Sequence, residues 1–184
     1  MRRIYLICMI IILSLLLASC SLGRNNSRRN FLMTDDRAIA NKQFEDLIDA
    51  AKMQDADALK ALFSQNVLDE VENIEESIQK LFDYFEGEMV SYNDWAGPGV
   101  TAKNDAAGYW KQYYSTYDLE TTQDKYRLAM EIITVDTADA DNVGIRSLYI
   151  IRFEDDTDQN CAYRGDGAYT PGINIGKVQE NAGF

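Results

Sequence analysis

Aromatic side chains are concentrated between residues 92 and 117, and carboxylates lie close to them in the sequence. The aromatic residues are Tyr92, Trp95, Tyr109, Trp110, Tyr113, Tyr114 and Tyr117. Aromatic rings with a polar tip suit the lining of a ligand pocket, but they are also typical of a sheet face that packs on helices. Asp94 and Asp118 lie beside this cluster, so each is a candidate acid or base.

The chain contains no histidine, and this absence restricts its chemistry. Catalytic triads of the Ser/His and Cys/His types are excluded, and the commonest zinc ligand is missing. Acid–base chemistry would therefore rest on Asp, Glu, Tyr or Lys. We assign no catalytic residue, no metal site and no cofactor from these residue types.

Two short motifs begin like binding sites but lack what such sites require. Asp139 and Asp141 start like a calcium-binding loop, yet Val143 and Ile150 occupy positions where oxygen ligands are needed. Residues 164–166 spell Arg-Gly-Asp, a tripeptide of adhesion ligands, but glycine and aspartate are ordinary turn residues. We interpret both motifs as turns.

The N-terminus has the layout of a secretory signal peptide. Arg2 and Arg3 precede an apolar run over residues 4–17, which is shorter than the roughly 20 residues that span a bilayer. The run ends in Leu17-Ala18-Ser19-Cys20, which resembles the lipobox of bacterial lipoproteins. That resemblance implies cleavage before Cys20 and attachment of a lipid to its thiol. The protein would then be exported and anchored to the outer face of the cell membrane.

This interpretation divides the chain into a signal peptide (1–19), a lipidated cysteine with a flexible tether (20–34) and one domain (35–184). Removal of the two N-terminal arginines changes the net charge from −12 to −14. Such an acidic chain is unsuited to nucleic acid as a partner. Cys161 would be the single free cysteine, which leaves no intramolecular disulfide. We interpret it as a half-buried structural residue.

Apolar residues recur at helical spacing before residue 86. The pattern predicts a helix of about fifteen residues that begins near Asp35. A second helix follows, with Asp55 placed to cap its N-terminus. A third helix is predicted over residues 66–85. Its apolar stripe would face the interior and its acidic side would face solvent.

Alternating apolar residues after Gly87 predict strands. One strand places four residues on a single face: Tyr126, Leu128, Met130 and Ile132. The next strand is predicted to share a face among Val143, Ile145, Tyr149, Ile151 and Phe153. Three helices followed by four or more antiparallel strands predict an α+β fold, with N-terminal helices packed on a curved antiparallel sheet.

The segments "DDRAIANKQFEDLIDAAKMQDADALKALFS" and "NVGIRSLYIIR" resemble domain of unknown function 5104, a family of uncharacterised exported lipoproteins of low-GC Gram-positive bacteria. The order of elements is similar to that of the nuclear transport factor 2-like (SnoaL-like) superfamily. That resemblance implies a cystatin-like cone with one open mouth. The resemblance spans roughly residues 35–177.

A cone of this kind would allow inward-facing residues to line a cavity. The residues expected there are Tyr92, Trp110, Tyr114, Tyr126 and Tyr149. Three functions remain open, and we favour non-enzymatic binding of a small apolar ligand or an envelope protein. The alternatives are a SnoaL-like enzyme with Asp/Tyr acid–base chemistry on a small apolar substrate, and a structural role with a homodimer formed through the sheet.

Overall fold

The computed structural model describes residues 26–157 and 169–176, with side chains from Asp36 onward. The fold described below is that of the unit that begins at residue 36. The predicted signal peptide and Cys20 lie outside the described residues. So do Cys161 and the Arg-Gly-Asp tripeptide at residues 164–166.

Within the described residues, four α-helices precede the sheet. They are α1 (Asn26–Met53), α2 (Ala56–Lys60), α3 (Gln65–Glu70) and α4 (Ile74–Tyr84). The predicted cap is confirmed, because the Asp55 carboxylate accepts the backbone N–H of Ala58 at 2.9 Å. The predicted start of the first helix was too late, since α1 begins at Asn26. Its apolar stripe, on which the prediction rested, begins only at Ala38.

The single helix predicted over residues 66–85 is wrong. The chain leaves helical geometry at Val71, and Asn73 is the N-cap of the next helix. Val67 in α3 and Ile74 in α4 are both buried in the core. Their seven-residue separation matches helical spacing, so the apolar pattern continues across a break that it cannot reveal.

In the part of the chain that the structure describes, six strands form one mixed, open and curved sheet. They are β1 (Met89–Asn93), β2 (Gly99–Asp105), β3 (Gly108–Thr121), β4 (Lys125–Asp136), β5 (Gly144–Arg152) and β6 (Gly172–Ile175). The order is β1-β3-β4-β5-β6, and β2 also pairs with β3. The α+β class is therefore confirmed. The sheet is not wholly antiparallel, because β6 runs parallel to β5.

Two strands share one edge of the long strand β3. Asn93 at the end of β1 pairs with Asp118, whereas Gly99 at the start of β2 pairs with Tyr114. The chain therefore breaks between β1 and β2 and then resumes along the same edge. Asp94 lies in this break, where α1 contacts it.

The face predicted for β4 is confirmed, since Tyr126, Leu128, Met130 and Ile132 all lie in the main core cluster. The face predicted for β5 is wrong beyond Ile145. The partners shift between Glu131 and Ile132, so that three residues of β5 span two residues of β4. This β-bulge reverses the side on which later residues point. Leu148 and Ile150 consequently face the core, and Tyr149 and Ile151 lie on the opposite face.

The core lies between the helices and the face of the sheet that carries Leu128, Leu148 and Ile150. We call this face the helix-facing side. Phe44 of α1 is fully buried, and its ring stacks on that of Tyr117 with centroids 4.0 Å apart. Leu47, Ile48 and Leu128 belong to the same cluster. Burial of each large apolar side chain contributes about 1.5–3 kcal/mol, so this contact is a principal reason why α1 packs on the sheet.

Candidate functional site

An open cleft of about 390 Å³ lies beside α1. This volume falls within the range of about 300–1,000 Å³ that is typical of small-molecule sites. The cleft is lined by side chains of α1, β3 and β4 and by the residues at the start of β5. They are Ile39, Gln43, Tyr109, Lys111, Tyr113, Ile132, Ile133, Thr134, Val135, Val143 and Gly144. The wall is therefore mainly apolar, with polar groups from α1, β3 and β4 among it.

The position of Gly144 explains part of the shape of the cleft. This residue has φ +134°, and a Cβ atom there would lie 2.6 Å from the backbone N of Ser64. Only glycine permits that approach. The backbone N–H groups of Ser64 and Ile145 complete the contact, since they donate to the carbonyls of Ile145 and Leu62 respectively. This part of the wall is therefore held by main-chain hydrogen bonds.

The polar end of the cleft is formed by Lys111 and Tyr113, with Asp36 behind them. The Tyr113 hydroxyl donates to Asp36 Oδ1 at 2.7 Å, and the Lys111 ammonium donates to the same oxygen. The ammonium also lies 5.2 Å from the centroid of the Tyr113 ring. Asp36 is 9% exposed, and these two hydrogen bonds replace water that burial removes from its carboxylate.

The pKa values at this end favour the ordinary ionisation states. Burial raises the pKa of the Tyr113 hydroxyl, and the hydrogen bond to Asp36 raises it further. Burial alone would lower the pKa of Lys111, but hydrogen bonds to Asp36 and Tyr113 outweigh it and the pKa is raised. At neutral pH the tyrosine is therefore protonated and the lysine is charged.

A second polar cluster fastens α1 to the break between β1 and β2. Arg37 donates two hydrogen bonds to the buried carboxylate of Asp94, and Asn41 donates a third at 3.1 Å. The Tyr117 hydroxyl donates to the side-chain oxygen of Asn41 at 3.2 Å. The bond with Arg37 is the main reason that the pKa of Asp94 is lowered, although burial opposes it. Asp94 is therefore a paired anion and a poor general base.

Two further carboxylates near the aromatic residues are also engaged. Glu45 accepts the Tyr92 hydroxyl at 2.7 Å, and burial together with this carboxylate raises the pKa of Tyr92 to about 12. Asp118, the other acid or base suggested by the sequence, accepts Arg127 Nε at 2.7 Å. Arg127 also forms an ion pair with Asp156. Glu45 is therefore the partner of a hydroxyl, and Asp118 and Asp156 are partners of a cation.

The five aromatic residues expected to line a cavity lie on both faces of the sheet. Tyr92 and Tyr126 are on the helix-facing side, where both contact or belong to the core cluster. Trp110, Tyr114 and Tyr149 are half-buried on the opposite face, as the alternation along β3 and the pairing of β5 require. The structure does not bring the five together, and none of them lines the cleft.

Tyr126 has a defined structural role in the core. Its side chain is fully buried, and its hydroxyl donates to the carbonyl oxygen of Tyr84 at 3.1 Å. The same hydroxyl accepts the backbone N–H of Glu86 at 2.9 Å. These bonds satisfy main-chain groups at the C-terminal end of α4, and they tie that end of the helix to β4.

Sequence reasoning missed Asp36, Gln43 and Lys111 as site residues. A signal existed in β3, because Tyr109, Lys111 and Tyr113 alternate and therefore share one face of a strand. No comparable signal linked Asp36 to them, since it is 75 residues away from Lys111. Only the packing of α1 on β3 brings that carboxylate to the cleft.

Two features missing from the described part of the chain bear on other classes of site. Residues 26–157 and 169–176 contain no group of three or more Cys, Asp or Glu side chains arranged to hold a metal ion. Within the same ranges, no helix combines the length and the apolar character needed to cross a bilayer.

Comparison with known families identifies the central part of the chain. The profile named Domain of unknown function (DUF5104) matches residues 46–153. The match includes α2–α4, the strands β1–β5, and Lys111 and Tyr113 of the cleft. A comparison with curated proteins found no match. Because the profile covers more than half of the sequence, the chain belongs to the DUF5104 family.

Proposed function

We propose that the protein is an exported, lipid-anchored binding protein whose domain holds a small, mainly apolar ligand in the cleft. The observation that carries the proposal is the cleft itself, because its volume of about 390 Å³ and its mainly apolar wall suit such a molecule. The pairing of Asp36 and Asp94 with cations supports binding over catalysis, since neither carboxylate is free to act as a base.

Ligand binding is tested with octan-1-ol as a probe of matching size and with a variant that fills the cleft. Gln43→Trp adds a large side chain to the lining from the half-buried surface of α1. We expect saturable binding to the parent protein and a loss of at least about tenfold in the variant. Asp49→Trp, at an exposed position of the same helix, is the matched control. Equal binding by the parent protein and the Gln43→Trp variant would exclude the cleft as the site.

Identification of the natural ligand requires the protein purified from cells under mild conditions. Native mass spectrometry is expected to detect a co-purified molecule of a few hundred daltons or less. Its retention by the Asp49→Trp control and its loss from the Gln43→Trp variant would assign it to the cleft. A ligand retained equally by both variants would bind elsewhere.

The anchor is proposed at Cys20. The charged N-terminus, the apolar run and the lipobox-like sequence support it together, and the lipid would hold the domain at the outer face of the cell membrane. Replacement of Cys20 by Ala is expected to abolish fatty-acid labelling and retention in the membrane fraction. Continued labelling and membrane retention of that variant would contradict the assignment.

The finer fold is proposed to be the cone of the nuclear transport factor 2-like superfamily. Support comes from the order of helices and strands and from the curvature of the open sheet. The shared edge of β3 adds further support, because β1 and β2 pair with different parts of that edge and the chain breaks between them. An experimental structure that superposes on members of that superfamily over helices and strands would test this proposal.

A second candidate function is acid–base catalysis at the same cleft. One observation favours it, namely the hydrogen bond of 2.7 Å between the Tyr113 hydroxyl and Asp36. An enzyme would convert the co-purified ligand during incubation, which mass spectrometry would record as a change in its mass. Tyr113→Phe should then retain the ligand and abolish its conversion. An unchanged ligand mass over prolonged incubation would favour the binding function.

A further inference from the structure

The polar end of the cleft carries two opposite charges in direct contact. We infer that the ligand is an uncharged amphiphile, with a hydroxyl or carbonyl group against Lys111 and an aliphatic body along the remaining wall. This inference rests on the proposed binding function, because it specifies the ligand of that same cleft. It follows from the balance of charge, the free hydrogen-bonding capacity and the size of the site.

The balance of charge is set by Lys111 and Asp36. Their side chains are 22% and 13% exposed, and the ammonium donates to the carboxylate. An anionic group that accepted a hydrogen bond from Lys111 would share one ammonium with the largely buried Asp36 carboxylate, and the two negative charges would repel each other at close range. A cationic group would be repelled by the ammonium instead. Both arrangements bring like charges together in a partly desolvated site, which disfavours binding.

No other charged side chain changes this balance among the residues that line the cleft. Arg37 follows Asp36 directly on α1, but its guanidinium is bound to Asp94. The net charge of the whole sequence is −12, so the wider field also repels anions. The preference for a neutral group therefore arises both at the contact and over a longer range.

A neutral oxygen, in contrast, finds a donor without displacing any contact. A lysine ammonium has three N–H donors. Asp36 accepts one of them, so even with the Tyr113 hydroxyl nearby at least one is left for a hydroxyl or carbonyl of the ligand. The amide of Gln43 lies in the same lining and can both donate and accept. The polar end thus recognises a group that hydrogen-bonds but carries no charge.

The size of the cleft limits the rest of the molecule. A volume of about 390 Å³ corresponds to roughly a dozen water-sized units at about 30 Å³ each. Aliphatic side chains of Ile39, Ile132, Val135 and Val143 cover much of the wall. An eight-carbon chain with one polar end group therefore fits, and octan-1-ol, octanoate and octylammonium form a matched series that differs mainly in charge.

The test measures binding of these three probes to the purified full chain by calorimetry or NMR titration at pH 7. We expect octan-1-ol to bind at least about tenfold more tightly than either charged probe. Asp36→Asn keeps the shape but leaves Lys111 without its anion, so octanoate should gain at least about tenfold in affinity. Asp49→Asn, an exposed position on the same helix, should leave the order of the three probes unchanged.

A reciprocal variant protects the test against a failure of Asp36→Asn to fold. Lys111→Gln leaves the carboxylate without its cation, so octylammonium should become the favoured probe. Circular dichroism verifies that each variant is folded before titration. Tighter or equal binding of a charged probe to the parent protein would overturn the inference while retaining the proposed function. Failure of all three probes to bind would reject the proposed function, and the inference with it.

Discussion

The buried carboxylate of Asp94 allows a direct test of how α1 is held on the sheet. Asp94→Asn preserves the size of the side chain but removes the negative charge that receives two hydrogen bonds from Arg37 and one from Asn41. Asp94 itself is 7% exposed. The amide that replaces the carboxylate has one oxygen instead of two. It cannot accept all three bonds, and its N–H groups would face the Arg37 guanidinium or the Asn41 amide.

The expected loss can be estimated from these contacts. Hydrogen bonds to a charged group contribute about 1.5–3 kcal/mol, but the Arg37 side chain is 50% exposed and regains part of this through water. We therefore expect Asp94→Asn to lower the free energy of unfolding by about 1–2 kcal/mol, which lowers Tm by about 3–6 °C for a domain of this size. Asp46→Asn is the control, because it breaks only the exposed pair with Lys42 and should cost at most about 0.5 kcal/mol.

The effect should also depend on pH in a defined direction. The pKa of Asp94 is lowered from 3.8 in the folded state, so its ionised form stabilises the fold above that value. This contribution is lost as the pH falls through the folded-state pKa. The difference between the parent protein and Asp94→Asn should therefore be constant between about pH 5 and 7 and should shrink below about pH 4.

Urea denaturation at several pH values, monitored by circular dichroism, measures this difference. Two results would refute the reasoning. One is a variant that equals the parent protein at pH 7, and the other is a difference that persists undiminished at pH 3. A loss as large for Asp46→Asn as for Asp94→Asn would show that the buried contacts have no special role.

Three further predictions address the core, the start of β5 and the oligomeric state. Phe44→Ala removes the ring stacked on Tyr117 and should lower the free energy of unfolding by about 3–5 kcal/mol; a loss below 1 kcal/mol in urea titration would contradict it. Gly144→Ala should cost about 2 kcal/mol or more because its Cβ would approach the backbone N of Ser64 to 2.6 Å, and an unchanged Tm would contradict that contact. A homodimer through the sheet, the structural alternative left open by the sequence, would appear in light scattering as twice the mass of one chain, whereas a single-chain mass at high concentration would exclude it.

The spacing of apolar residues predicted those helices and strands whose periodicity is not interrupted by a break or a bulge. The face of β4 followed from its sequence because no extra residue falls within the stretch from Tyr126 to Ile132 on that strand. The face of β5 did not, because the bulge opposite Glu131 and Ile132 depends on strand pairing rather than on residue type. The break at Val71 was not predicted for a related reason, because the apolar residues of α3 and α4 keep one continuous helical spacing across it.

The cleft was less accessible to sequence reasoning than the fold. Aromatic density pointed to β3, and Tyr109 and Tyr113 do line the cleft. The expectation centred instead on residues such as Trp110 and Tyr126, which the pleat and the pairing of the strands place on opposite faces of the sheet. Asp36 could not be foreseen, because its role depends on where α1 meets β3.

The long sequence separation of the α1 contacts has a consequence for the order of folding. Asp94 lies 57 residues from Arg37, and Tyr113 lies 77 residues from Asp36, whereas β3, β4 and β5 pair with their neighbours along the chain. Contacts that close longer loops form at a greater entropic cost. We therefore expect the three-stranded meander to form early and α1 to dock late, so that weakening its contacts mainly accelerates unfolding. The cleft would then be the last part of the domain to assemble and the first to open. A ligand bound in the cleft would slow that opening.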